Sequence, residues 1–265
     1  MSRRTIGAAC GLAAAALILA LPGVGALDPI GVRALAIIVL GVVFWATDVL
    51  NAGITAVMTL GLLMIAGVPG NVALAGFAAS GFWILVAVLF FGYAMDKTGL
   101  ARRIAYRILL AFPPTYGGIL GAFLLIGFVL TLGIPSMTVR TAILMPIAWA
   151  LVQALGLPLP GRGSALIILS TFEMAVLPGC ALLTGALWGP YLAGLFAGQG
   201  IPIAWLEYAH VMFVPTLVWC VMVLAANMAV LRPEGGLGVT HAVVGAELGK
   251  LGPMSRSERL TALIV

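Results

Sequence analysis

Two short stretches of this chain hold the residue types that could do chemistry in an otherwise apolar sequence. The first is GIPSMTVRTAILMP, residues 133–146, where a Pro-Ser-Met-Thr interruption is followed by an arginine, Arg140. The second is LPGCALLTGALWGP, residues 177–190, which supplies Gly179, Cys180, Thr184, Gly185, Gly189 and Pro190. A break between two half-helices exposes unpaired N–H groups on one side and unpaired C=O groups on the other. With the hydroxyls of Ser136 and Thr138 beside them, carbonyl oxygens suit a small cation, and helix N-termini suit a carboxylate or another anion. Arg140 lies inside the apolar stretch, where a charge is costly and marks a functional candidate. Two roles are open to it: attracting an anionic substrate, or pairing with Glu173, the only acid within residues 163–199. Glu173 is also a candidate proton-coupling acid.

The elements that must position these residues are membrane helices. Of the 265 residues 63% are hydrophobic and 8% charged, and the mean hydropathy is +1.22, outside the range of soluble domains. Apolar runs long enough to cross ~30 Å of hydrocarbon recur along the chain. The expected class is an all-α integral membrane protein with about six spans, a re-entrant hairpin and a broken helix. Spans are expected near 6–27, 31–50, 52–68, 82–96 and 205–231, with residues 1–231 forming one transmembrane repeat. Residues 101–112, ARRIAYRILLAF, suit a helix in the headgroup region whose arginines face cytoplasm and anionic lipid.

Residues 118–155 are interrupted at GIPSMT, with about 15 residues before the break and about 17 after it, short for full crossings. A hairpin that dips in and returns is permitted where its turn is buried or faces water. A pair of full spans preserves the same parity. Residues 163–199 form the broken helix, 232–259 a polar linker read as a cytoplasmic loop, and 260–265 the start of a further apolar segment. That ending suggests the first half of something longer. With a cytoplasmic N-terminus, all of the 13 Lys and Arg except Arg33 and Arg140 fall in cytoplasmic positions, which orients a multi-pass protein of the cell membrane.

Other chemistry finds no support. Cys10, Cys180 and Cys220 have neither disulfide nor zinc spacing. The net charge of +5 is topological and does not indicate nucleic acid. The sequence contains no G-x-S-x-G, H-E-x-x-H or phosphate-binding loop motif, so an enzyme is not expected. Asp48 and Asn51 read as turn anchors, Glu207 and His210 as interfacial, and His241 as part of the tail. Two interrupted helices within one half of a membrane protein point to a secondary transporter with a midplane site.

The order FWATDVLNAGITAV, ALAGFAASGFWILVAVLFFGYAMDKTGLARRIAYRI, IPSMTVRTAILMPIA, ALLTGALWGP and WLEYAHVMFVPTLV resembles the divalent-anion:sodium symporters, carriers of dicarboxylates, citrate and sulfate. The resemblance covers nearly the whole chain. It implies the N-terminal one of two inverted repeats, with a complementary C-terminal half and a homodimer of the full-length protein. It places Ser136, Met137 and Thr138 at the hairpin tip and Gly179–Pro190 at an unwound helix completing a sodium site. Substrate contacts are then expected from Ser136, Met137, Thr138, Arg140 and Thr184, and cation contacts from Ser136, Met137, Gly179, Cys180 and Gly185. No cofactor other than sodium is implied.

Met137 departs from the family's Asn, and Gly189 stands where Asn is common. A thioether is a poor sodium ligand, so only the Met137 carbonyl remains for that role. The expected function is secondary transport of a small di- or tri-anion coupled to sodium or protons. The alternative is a nontransporting partner subunit or fragment.

Overall fold

The structure is a computed structural model and describes residues 2–21, 27–233, 237 and 240–264. Parts of the expected first span (22–26), of the linker (234–236, 238–239) and Val265 lie outside the described residues. The regular elements among the described residues are all helices, and the chain forms two compact units, residues 1–79 and 80–265. By length and composition, seven of the described helices could cross a membrane.

The first unit contains α1 (Arg3–Ala20), α2 (Pro29–Ala46), α3 (Ala52–Ile65) and two single turns, α4 (Gly70–Ala73) and α5 (Ala75–Ala78). Its helix starts are set by local chemistry. The Asp28 carboxylate accepts from the Gly31 N–H at 2.7 Å with Pro29 in the first turn, and Asn51 accepts from the Gly53 N–H at 2.9 Å. Asn51 thus anchors a turn as expected. The helices pack through small residues. A Cβ on Gly7 would sit 2.3 Å from the Thr47 hydroxyl, and one on Gly41 2.5 Å from that of Thr59. At 14 residues α3 is shorter than the span expected over 52–68.

The second unit opens with α6 (Ser80–Thr98), then α7 (Leu100–Ala111), joined by Gly99 at φ +82°, a conformation that favours glycine. It continues with α8 (Tyr116–Gly133), α9 (Met137–Ala154), α10 (Arg162–Val176), a 3-10 turn over Leu177–Cys180, α11 (Trp188–Gly198) and α12 (Trp205–Leu231). Here α10 packs along both α8 and α9, and α12 packs on α10. The close approach of α10 to α8 needs Gly127, where a Cβ would lie 2.2 Å from the Met174 carbonyl oxygen. The core they share includes Phe123, Ile126, Leu130, Leu144, Leu166 and Met174. The two arms flanking the break have 18 residues each, longer than the sequence suggested. Each reaches about 27 Å, so shortness no longer distinguishes re-entry from crossing.

Two expectations are corrected by the C-terminal segment. The tail read as a loop contains α13 (Thr240–Lys250), and the last apolar stretch belongs to α14 (Arg256–Ile264). A helix as short as α13 is marginal alone, and tertiary packing of an apolar face stabilises it. Val243 and Val244 lie beside Leu109 of α7 and Ile147 and Leu151 of α9, and the His241 ring nitrogen Nε2 sits 2.7 Å from the Phe112 carbonyl at the end of α7. The second correction concerns α7. Arg102 and Arg107 are exposed, but Arg103 is buried and turned toward the tail. Its Nε donates to Glu258 Oε1 at 2.7 Å, its Nη2 to Glu258 Oε2 at 3.2 Å and its Nη1 to the Gly252 carbonyl at 2.8 Å. The Leu251 carbonyl accepts a further bond at 3.2 Å. Glu258 and Ser255 cap α14 reciprocally.

The bond from Arg103, with Ser255 assisting, holds the Glu258 carboxyl down at about 2 against an ordinary 4.5. A depressed carboxyl pKa stabilises the folded state fully above its unfolded value and loses that contribution as pH falls through the folded one. The protection factors of amides in residues 240–264, taken against the intrinsic exchange rate at each pH, should therefore be high at neutral pH and fall between about pH 4.5 and 2. In Glu258→Gln, exchange should already be fast at pH 7.

Candidate functional site

The site forms where α8 ends, α9 begins and α10 gives way to irregular chain. Ile134 and Pro135 separate α8 from Ser136, the N-cap of α9, whose hydroxyl accepts from the Val139 N–H at 3.3 Å. Pro135 cannot donate to a continuing helix and disfavours helical dihedrals in Ile134 before it, so the chain stops there and restarts. Ser136 and Met137 are partly buried and Thr138 is exposed. The N–H groups of Met137 and Thr138, in the first turn of α9, have no acceptor within the helix.

Behind this tip stands Arg140, one turn into α9 and fully buried. Its Nε donates to the Ala175 carbonyl at 2.8 Å, its Nη1 to the carbonyls of Ile134 at 2.6 Å and Gly185 at 2.9 Å, and its Nη2 to that of Val176 at 3.5 Å. These are orphan carbonyls from the C-terminal ends of α8 and α10 and from the loop beyond. The C-terminal end of a helix carries partial negative charge, which a cation complements. One guanidinium thereby fastens three segments with a planar fork of donors that an ammonium cannot reproduce.

The glycines of the second break make room for it. A Cβ on Gly179 would lie 2.5 Å from Arg140 Nη2 and 2.9 Å from the Gly185 carbonyl oxygen, and one on Gly185 would lie 2.6 Å from the Gly179 carbonyl oxygen. The Met137 methyl comes within 3.3 Å of the same Gly179 position. Met137, Arg140, Gly179 and Gly185 thus lie together, with Ser136 at the adjoining cap of α9. Cys180 is adjacent, and its carbonyl accepts from the Tyr208 hydroxyl of α12 at 3.2 Å.

Arg140 and Glu173 do not form the ion pair offered as one reading. Carbonyls occupy the guanidinium, while Glu173 accepts a hydrogen bond from the Asn227 amide of α12. The same amide reaches Ser170 Oγ at 3.2 Å. Thr184 is not on the guanidinium either. Its hydroxyl accepts from Trp205 Nε1 at 2.9 Å beside a cavity of about 240 Å³ lined by Gly81, Ile84, Pro190, Ala193 and Trp205. Four residues that shape the site were not singled out from sequence: Trp205, Tyr208, Ser170 and Asn227. Of these only Asn227 carried a signal, an amide in an apolar 27-residue helix.

The model of the sodium:sulfate symporter transmembrane region matches residues 3–265. The chain belongs to this family. Several curated proteins are similar to it at modest identity. A membrane protein from Cupriavidus necator is 28% identical over 96% of this chain and 53% of its own length. The chloroplastic dicarboxylate transporter 1 of Spinacia oleracea is 29% identical over 86% of this chain and 42% of its own. Human Na(+)/dicarboxylate cotransporter 3 is 31% identical over 51% of this chain and 22% of its own. The chain spans about half the length or less of these relatives. Family membership and the apolar helices make this a multi-pass membrane protein of a transporter family.

Removing Arg140 would leave carbonyls from three segments unsatisfied in a buried place, at roughly 1–3 kcal/mol each. Arg140→Ala should therefore lower the thermal midpoint of the purified protein sharply. Arg140→Lys should recover only part of the loss, because a single ammonium cannot span the carbonyl set. Gly179→Ala should destabilise in the same sense by pushing the guanidinium off its seat. All three are read by thermal-shift chromatography.

Proposed function

We propose that the protein works as a secondary carrier of a small divalent anion, a dicarboxylate or sulfate, with this chain supplying one of two hairpin tips. The observation that carries the reading is the first turn of α9. Ser136 caps it, Thr138 is exposed on it, and the N–H groups of Met137 and Thr138 head it. A helix N-terminus with free donors and a hydroxyl favours a carboxylate or sulfate oxygen. Relatives named as dicarboxylate transporters support the substrate class. The rest of the binding surface belongs on this reading to a complementary half. The working unit is a homodimer of the full-length protein in the cell membrane, with the N-terminus cytoplasmic.

Sodium fits this tip poorly. Of the groups expected to contact it, the Gly185 carbonyl already accepts from Arg140 and the Cys180 carbonyl from Tyr208. Two unit charges about 4 Å apart repel by about 4 kcal/mol at an effective dielectric of about 20. The guanidinium thus shares the Gly185 carbonyl with the coupling cation that the resemblance implies. Arg140 acts on substrate at one remove, by setting the tip's shape and potential, and does not contact it.

Proteoliposomes containing the intact protein should exchange labelled succinate or sulfate, and replacing sodium by choline should leave the rate within about twofold. Strict sodium dependence would overturn the assignment at the tip. The double change Ser136→Ala with Thr138→Ala should abolish exchange while the protein still folds. Unchanged exchange in that variant would refute the site.

A further inference from the structure

We infer that Glu173 is a proton-binding site of the transport cycle, and this rests on the carrier reading above. With Arg140 as a fixed positive charge at the tip, a cation that moves with the substrate must bind elsewhere. Glu173 lies on α10, which with its 3-10 extension is apolar and long enough to cross a membrane. It sits roughly 16 Å along the helix axis from Arg162, at 1.5 Å per residue. A carboxylate at that depth is costly unless it is paired or neutralised.

Its side-chain hydrogen bond comes from an amide, and it takes part in no ion pair among the described residues: those are Arg103 with Glu258 and Lys250 with Glu247. The elements packed against α10 are α8, α9, α12 and the 3-10 turn. On α9 the charged group is Arg140, bonded to the carbonyls of Ala175 and Val176 and not to this acid. On α8 the titratable group is Tyr116, at the far end of that helix from the break. The 3-10 turn carries Cys180, whose carbonyl is held by Tyr208. On α12, Cys220 is two turns from Asn227, and Tyr208, His210 and Glu207 lie at the opposite end, ~25 Å or more away along the axis; the exposed C-cap Arg232 is about 8 Å beyond Asn227 along the axis and donates to the Ala229 carbonyl.

The recorded side-chain partner of Glu173 is Asn227, whose amide spans Glu173 and the buried Ser170. An amide suits both states of the acid. When the carboxylate is ionised, Asn227 donates through Nδ2. When a proton binds, an O–H bond forms on one carboxylate oxygen, and after an amide flip that hydroxyl donates to Asn227 Oδ1. The Ser170 hydroxyl then rotates to donate to the same Oδ1, and no charged group has to move for the acid to change charge. Glu173 is only partly buried, so it is not sealed inside the chain. Proton uptake on one side and release on the other would then accompany the anion.

The test compares wild type with Glu173→Gln, which keeps the shape and the contact with Asn227. An inwardly directed proton gradient across proteoliposomes should drive labelled anion accumulation, by up to about tenfold per pH unit for one coupled proton. Glu173→Gln should still exchange anion for anion but lose the response to the gradient. Equal gradient responses in the two proteins, or exchange with none in either, would overturn the proton site and leave the carrier reading standing. Absence of exchange in wild type would instead refute the carrier reading. The proton site would then be read directly by infrared titration of the carboxylic C=O stretch. A band that titrates in wild type and is missing from Glu173→Gln supports it, and identical spectra overturn it.

Discussion

Everything at the centre of the second unit depends on one cation placed among carbonyls. Interrupting two helices inside an apolar body creates a debt of unpaired backbone oxygens at their C-terminal ends, and no solvent is at hand to settle it. Arg140 satisfies the ends of α8 and α10 and the loop at Gly185 together. Its own burial is tolerable for the same reason, since each donor finds a carbonyl in the negative field of a helix terminus. The breaks and the arginine are therefore mutually necessary. Straight helices would leave the guanidinium without partners, and an apolar residue at position 140 would leave the breaks unsatisfied. The glycines at 179 and 185 belong to the same constraint, because the guanidinium and the opposing backbone fill the space a side chain would need.

Much of this was legible in the sequence, and what was not has identifiable causes. The interruptions at Pro135 and at Pro178–Gly179 could be read because proline and glycine act locally, through the dihedrals and donors of their own residues. Helix lengths came out differently because α8 starts at Tyr116, behind a cap supplied by Thr115, and so runs further than the apolar run implied. The pairing of Arg140 with Glu173 failed for a subtler reason. A sequence displays charged side chains, but every residue carries a carbonyl, and which carbonyls are orphaned follows only from where helices stop. The linker was misread because its order comes from contacts about 150 residues away, Arg103 to Glu258 among them, which composition cannot convey.

The two buried arginines make an instructive pair. Arg103 and Arg140 each hold carbonyls from chain that has just left a regular element, and each organises a segment that would otherwise be irregular. Only Arg103 also meets a carboxylate. Its clamp is neutral overall, and such a pair fixes geometry without projecting much field. Arg140 meets dipoles alone. They offset its charge in part but cannot cancel it, so a positive potential remains at the start of α9.

That residual charge connects the architecture to the proposed activity. The first turn of α9 points its N–H groups away from the body of the helix, and the guanidinium lies one turn behind them, so dipole and charge add along the same direction. An anion arriving at Ser136 and Thr138 meets both without having to contact the arginine, whose donors stay with the backbone. Fixing the cation costs nothing at the moment of binding, because no ion must be recruited from water and stripped of its shell. It also removes a lever. A charge that never leaves cannot link binding to a gradient, so energy coupling in such a half must come from a group that changes state. Glu173, an acid held by an amide instead of by a cation, is the residue of α10 able to do so.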